Sequence, residues 1–235
     1  MVLFAFNVFF ISNWKIFSIL ENEKWEELSR LLQHRIFSKK QYSKRIIRLY
    51  INSTLLLADI SAIERLEEEL RKKKPAALKR DALLFGAVRL LKNDAKASIA
   101  FFEEFLDKKG VDNAKWLNFY YGFSLILDKR AGEAVSPLLE SLKDRDSILS
   151  LMSAYSIVFF CASSLDNAES AKIRQKSESR RQELQKLYAS RSSKSMEGWV
   201  KAIEAAKSEV HVVVLSKLLD EAGTWLFNSG SARKE

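Results

Sequence analysis

The segment Leu83-Leu84-Phe85-Gly86-Ala87-Val88 returns thirty-six residues later as Phe119-Tyr120-Tyr121-Gly122-Phe123-Ser124, and the run downstream of it returns as well. Ala95, Ser98, Ile99, Phe102 and Leu106 recur at the same offset as Ala131, Ala134, Val135, Leu138 and Leu142. A repeat of this length is one supersecondary piece that cannot bury its own apolar face and must stack on its neighbours. The fold is therefore expected to be a row of equivalent pieces. Such a row points to a binding scaffold and leaves its ligand open.

The pieces are expected to be helical. Only 7 Gly and 2 Pro occur in 235 residues, too few for the tight turns of a strand-rich fold. The 47% hydrophobic content supplies a core, and 15 Phe with 5 Trp suit thick seams between helices. The single Cys161 excludes an internal disulfide, so packing alone must hold the fold. A net charge of +9 favours an acidic partner, whether protein, nucleic acid or lipid headgroup, without choosing among them.

Thirty-six residues upstream of Ser98 lies Ala62, and a further thirty-four upstream lies Leu28. Leu32, Leu66, Phe102 and Leu138 each lie four residues beyond these anchors, the same-face spacing of a helix. The spacing predicts four helix pairs, at 4–38, 42–74, 77–109 and 114–143, with a fifth beginning at Ser147 and running through Ile157-Val158-Phe159-Phe160-Cys161. Small residues such as Gly86 and Gly122 mark where two helix axes come closest. Lys72-Lys73-Lys74-Pro75 and Lys108-Lys109-Gly110 carry helix-ending chemistry. Pro137 sits inside a helical pattern, which predicts a kink or a late helix start.

Residues 171–195 hold eight Lys or Arg, which predicts a solvated helix ending in a polar break at Ser190–Ser195. An apolar stripe from Met196 to Leu226 then predicts one helix reaching Asn228, a cap on the array that covers its edge or fills its groove. Residues 166–235 are thus a charged helix plus an apolar C-terminal helix, after an array over 4–165. Residues 1–20 carry Lys15 as their sole charge. They read as the first array helix or as a membrane anchor, which makes a cytoplasmic protein the expectation and membrane association the alternative. A secretory signal fits less well, since a basic start and a clear cleavage site are missing.

An aromatic or Leu, a Gly three residues on, a second helix opening at Ala or Ser and a large apolar residue four further on together resemble the tetratricopeptide repeat. The resemblance spans residues 10–145 and is best at Gly86 with Ser98 and Phe102, and at Gly122 with Ala134 and Leu138. Tyr50 and Ile16 replace the Gly in the earlier pairs, and most of the helix-ending prolines are missing. The resemblance implies a right-handed superhelix whose first helices line a concave face that binds peptides or helices of other proteins. Carried onto this chain, that face holds Lys44, Arg80 and Trp116 at intervals of thirty-six, Leu83, Leu84 and Ala87 in the third pair, and Phe119, Tyr120 and Phe123 in the fourth. The places where chaperone-binding members clamp a terminal carboxylate are mostly apolar here. An amphipathic helix suits the face better.

Catalytic chemistry lacks a constellation. His34 and His211 have no Cys or second His at ligand spacing, so no metal or other cofactor is expected. Cys161 comes after two Phe on an apolar helix and reads as a packed thiol. Glu26/Glu27, Glu103/Glu104 and Glu67-Glu68-Glu69 read as solvated helix faces. The reading is a non-catalytic adaptor for another protein. The rival is a basic module for nucleic acid or an anionic membrane, built on Lys39, Lys40, Lys44 and Arg45, on Arg71–Lys74 with Lys79 and Arg80, and on residues 172–194.

Overall fold

The corners between paired helices share one backbone device. Glu23, Ala58, Asn93 and Lys129 all have positive φ, between 52° and 62°, at intervals of 35, 35 and 36 residues. The left-handed residue turns the chain out of one helix, and the helix end closes on itself. The amides of Glu23, Ala58 and Lys129 reach back three residues, to the carbonyls of Leu20, Leu55 and Ile126, and the next amides reach back five, to Ile19, Thr54 and Leu125. This doubled closure satisfies carbonyls that a helix C-terminus would otherwise leave bare. The second helix starts at once. Asp59 and Asp94 each cap it by accepting from an amide three residues on, of Ala62 and Ala97, both at 3.0 Å.

A computed structural model describes residues 14–191, 195–207 and 209–227, and among these every regular element is helical. The all-α expectation holds. Residues 14–21 form α1, and next is α2 (Trp25–Gln33), which runs into a π-helical turn at His34–Ser38. Then come α3 (Lys44–Leu56), α4 (Ile60–Lys73), α5 (Pro75–Arg80), α6 (Ala82–Leu90) and α7 (Ala95–Phe105). A 3-10 turn at Ala114–Trp116 leads to α8 (Leu117–Leu127), α9 (Ala131–Leu142) and α10 (Ser147–Ser156), which continues through a π-helical turn at Ile157–Cys161. The chain ends in α11 (Asn167–Arg191), α12 (Ser195–Lys207), α13 (Val210–Val213) and α14 (Ser216–Phe227).

The chain divides into two compact units, Met1–Asp81 and Ala82–Glu235. In the first, Ile16, Leu28, Leu32, Ile47, Tyr50 and Leu66 are almost fully buried. The expected first helix of the third pair breaks at Asp81, whose buried carboxylate accepts from Arg48 Nε at 3.4 Å and from Arg80 at 2.5 Å. The α5 residues Ala77 and Leu78 are buried and α5 packs on α4. The stretch 1–13 lies outside the described residues. The part of the expected N-terminal helix that is described buries Ile16 and Ile19.

In the second unit the repeat is visible as contact. A Cβ placed on Gly86 would run into the Phe102 ring, and one on Gly122 would lie 2.9 Å from Leu138 Cγ. Both glycines thus face the same position of the next helix, four residues beyond its small anchor. Helix α9 is continuous through Pro137, which has no amide to give the Glu133 carbonyl. Helix α10 is buried nearly all round and packs on α9, α11 and α14. With its continuation it includes the apolar segment Ser147–Ser164, 18 residues of which 67% are covered by other helices.

Two C-terminal expectations differ from the structure. Helix α11 is not simply solvated: Ile173, Ser177, Arg181, Leu184 and Tyr188 form a buried stripe along it. The long charged side chains around the stripe hide it from a hydrophobicity reading. The expected single helix from Met196 is three pieces, α12, α13 and α14. Val210, Val212, Val213 and Val214 crowd its middle, and β-branched residues lose side-chain freedom in a helix.

Candidate partner-binding surface

The third and fourth pairs build an aromatic shelf in the second unit. Leu83 and Ala87 are buried on α6, where every residue from Ala82 to Val88 is buried. Trp116 ends the 3-10 turn that precedes α8, and Phe119 and Tyr120 come next on the helix; all three are buried. Trp116 meets Phe119 edge to face at 5.8 Å between centroids, and Tyr120 stacks on Phe102 at 5.6 Å. Phe123, half-buried, lies parallel to Phe119 at 6.0 Å. These residues fall together because the α6 and α8 helices are one repeat apart and pack on each other.

The shelf is occupied by the chain itself. The single turn α13 packs on α6, and its His211 ring meets Trp116 at 5.0 Å and Tyr120 at 6.0 Å. The Tyr120 hydroxyl donates to the main-chain carbonyl of His211 and lies 3.4 Å from its Nδ1. That carbonyl is available because the Leu215 amide turns to Val212 instead, at 3.0 Å. Burial alone pushes the Tyr120 hydroxyl well above its ordinary pKa, so it stays a donor throughout the neutral range. Val212 and Leu215 complete the buried side of the turn, while Val213 faces outward, 50% exposed. The sequence could name the aromatic residues but not their occupant, because an apolar face reads the same whether its own chain or another covers it.

The remaining residues assigned to the concave face, Lys44 and Arg80, belong to the first unit. Lys44 is exposed at the start of α3, and Arg80 is tied to Asp81. A second aromatic group, missed in the sequence, lies at the end of the α10 continuation. Phe159 and Phe160 are 42% and 36% exposed beside Tyr155, and Trp225 of α14 meets Tyr155 at 5.9 Å and Phe159 at 6.0 Å. The π-helical turn is the signal, since it rotates two neighbouring Phe outward from an otherwise buried helix.

Other chemistry is sparse. Among the described residues no three His, Cys, Asp or Glu side chains are grouped to hold a metal. The Cys161 thiol is buried and pushed up to about 12 by burial, which removes its nucleophilic form at neutral pH. An open groove of about 990 Å³ runs between α9 and α11, lined by charges of both signs including Glu140, Lys143, Lys176 and Arg180. Part of the basic surface is already paired: Lys40 with Glu69, Arg71 with Glu67, Arg180 with Glu183, and Arg181 with Glu178, at 2.9–3.2 Å.

Comparison with known proteins places the chain in a family. The family described as "Uncharacterised Treponema protein" matches residues 62–228, well over half of the sequence and every helix of the second unit. The chain belongs to that family. A protein of Treponema pallidum (strain Nichols), described as "Uncharacterized protein", is 24% identical over 225 residues, covering 94% of this chain and 71% of its own length. No solved structure matches.

Proposed function

We propose that this member of the Treponema family is a non-catalytic adaptor that binds an apolar helical segment of another protein. In this reading the helix pairs within each unit stack as in a tetratricopeptide-like, right-handed superhelix. The α6–α8 shelf is then the receptive surface. One observation carries the proposal: the shelf already accepts a helical turn, α13, through aromatic edges and one hydrogen bond to its backbone. Recognition of that kind reads shape and apolar area, which is how grooves take amphipathic helices. The paired basic side chains weigh against the electrostatic alternative, because a cation held by a carboxylate releases fewer counterions on meeting phosphate.

The test is a binding panel on the immobilised full chain: apolar helical peptides, single-stranded RNA, duplex DNA and vesicles containing phosphatidylserine, each at low and high salt. Peptide binding that changes by less than about threefold with salt is expected, since apolar contact is little screened. Binding confined to the polyanions, and falling by orders of magnitude with salt, overturns the proposal.

A further inference from the structure

We infer that α13 is a displaceable plug, and that the shelf beneath it takes the C-terminal turn of an apolar helix from a partner protein. The inference rests on the adaptor reading and specifies which surface the partner uses and what must leave first.

The bonds that hold α13 are ones another helix could reproduce. Tyr120 grips a main-chain carbonyl, a group every residue carries, while the His211 side chain above it adds ring contacts and an Nδ1 at 3.4 Å from the hydroxyl. The carbonyl must lack an intrahelical donor, and that condition is met at the last turn of any helix. A fully buried hydroxyl left without an acceptor is costly, so the occupant must bring such a carbonyl with it. The walls are the edges of Trp116 and Tyr120, which select an apolar or aromatic turn of small cross-section. This defines the partner's chemistry: a helix C-terminus rich in β-branched or aromatic residues.

The plug is also weakly built compared with its flanks. It is a single turn, Val210–Val213, preceded by extended backbone at Glu209, with no side-chain cap. Isolated turns of this length do not hold themselves together. The neighbouring helices are anchored without it. On α12, Trp199 packs edge-on against Tyr188 of α11 at 5.4 Å and fills the space over Gly223 of α14. On α14, Glu221 accepts from Tyr155 of α10 at 3.1 Å, and the Leu226 carbonyl accepts from Gln185 of α11. Release of α13 therefore leaves both flanking helices seated.

The probe is a labelled peptide carrying residues 205–219 of this chain, added to three full-length proteins: wild type, Val212→Asp, and a chain in which 209–215 are replaced by a Gly-Ser run of equal length. The peptide should bind both altered chains at least ten-fold more tightly than wild type, and Tyr120→Phe in either background should weaken it several-fold. In wild type, saturating peptide should accelerate hydrogen exchange at the amides of Val210–Val213 while α12 and α14 keep their protection. Equal affinity for all three chains overturns the plug. So does loss of helical circular dichroism in both altered chains, which would make α13 part of the core. If apolar peptides bind wild type with no change at Val210–Val213, the adaptor reading stands and the plug alone falls.

Discussion

Replacing three glycines by alanine tests the repeat packing, because the structure assigns each a different outcome. All three are helical, so alanine brings a propensity gain of about 0.5–1 kcal/mol at each. What differs is the space. At Gly86 the new methyl would overlap the Phe102 ring and lie 3.2 Å from Phe101 Cδ1. Phe102 is fully buried, stacked on Tyr120 and edge-on to Phe101, so it has nowhere to turn. Overpacking of that kind costs up to about 3 kcal/mol, which leaves a net loss of about 2 kcal/mol. At Gly122 the methyl comes 2.9 Å from Leu138 Cγ and 3.3 Å from the Ala134 carbonyl oxygen. The milder overlap costs about 2 kcal/mol, for a net loss of about 1 kcal/mol. At exposed Gly132 nothing lies within 4 Å, so only the propensity gain remains, and Gly132→Ala should stabilise by about 0.5–1 kcal/mol. At about 2–4 °C per kcal/mol, thermal melts recorded by circular dichroism should fall by about 4–8 °C for Gly86→Ala and about 2–4 °C for Gly122→Ala, and rise for Gly132→Ala. A Gly86→Ala chain that melts at or above the Gly132→Ala chain would refute the claim that repeat-equivalent glycines set the helix spacing.

Two further outcomes concern the first unit. Asp81→Asn leaves the Arg48 and Arg80 guanidiniums without their buried carboxylate; both keep partial contact with water, so the loss should be about 2 kcal/mol in urea unfolding, and no change would remove Asp81 as the cause of the helix break. Glu69 accepts from Tyr42 at 2.6 Å and from Lys40 at 2.9 Å, and the Tyr42 bond, more than the Lys40 bond, holds its carboxyl below the usual range. Its stabilising contribution is therefore present above the ordinary glutamate pKa and lost as the pH falls through the lowered folded value. Burial and Glu69 push Tyr42 up to about 12, so that share is present below 10 and disappears as the pH climbs towards 12. Glu69→Gln should flatten both limbs of a stability-against-pH curve, and an unchanged curve would show that the cluster contributes nothing.

The helix pairs could be read directly because the apolar spacing and the small anchors repeat. The expected 42–74 compares with Lys44–Lys73 in the structure, and 114–143 with Ala114–Leu142. The corners were not readable. Their left-handed residues are Glu, Ala, Asn and Lys, and only Asn advertises that conformation. Asp81 hid a break because a charged residue at a predicted helix surface gives no sign of being buried between two arginines. The aromatic shelf was legible as a set of residues, while its occupant was not. The run from Val210 to Leu215 looked like more of the same apolar helix, and a break in periodicity that small is visible only once its backbone is seen.

A junction written in a backbone angle and a residue count, with the doubled closure seen at Glu23, Ala58 and Lys129, has a consequence for descent. Glu, Ala, Asn and Lys all occupy such a bend in this one chain, so its letters are expected to vary between distant relatives. Adding or removing one residue there would rotate everything downstream by a full helical step. Divergence at these bends should consist of exchanges, with gaps in an alignment displaced to the longer stretches between one pair and the next.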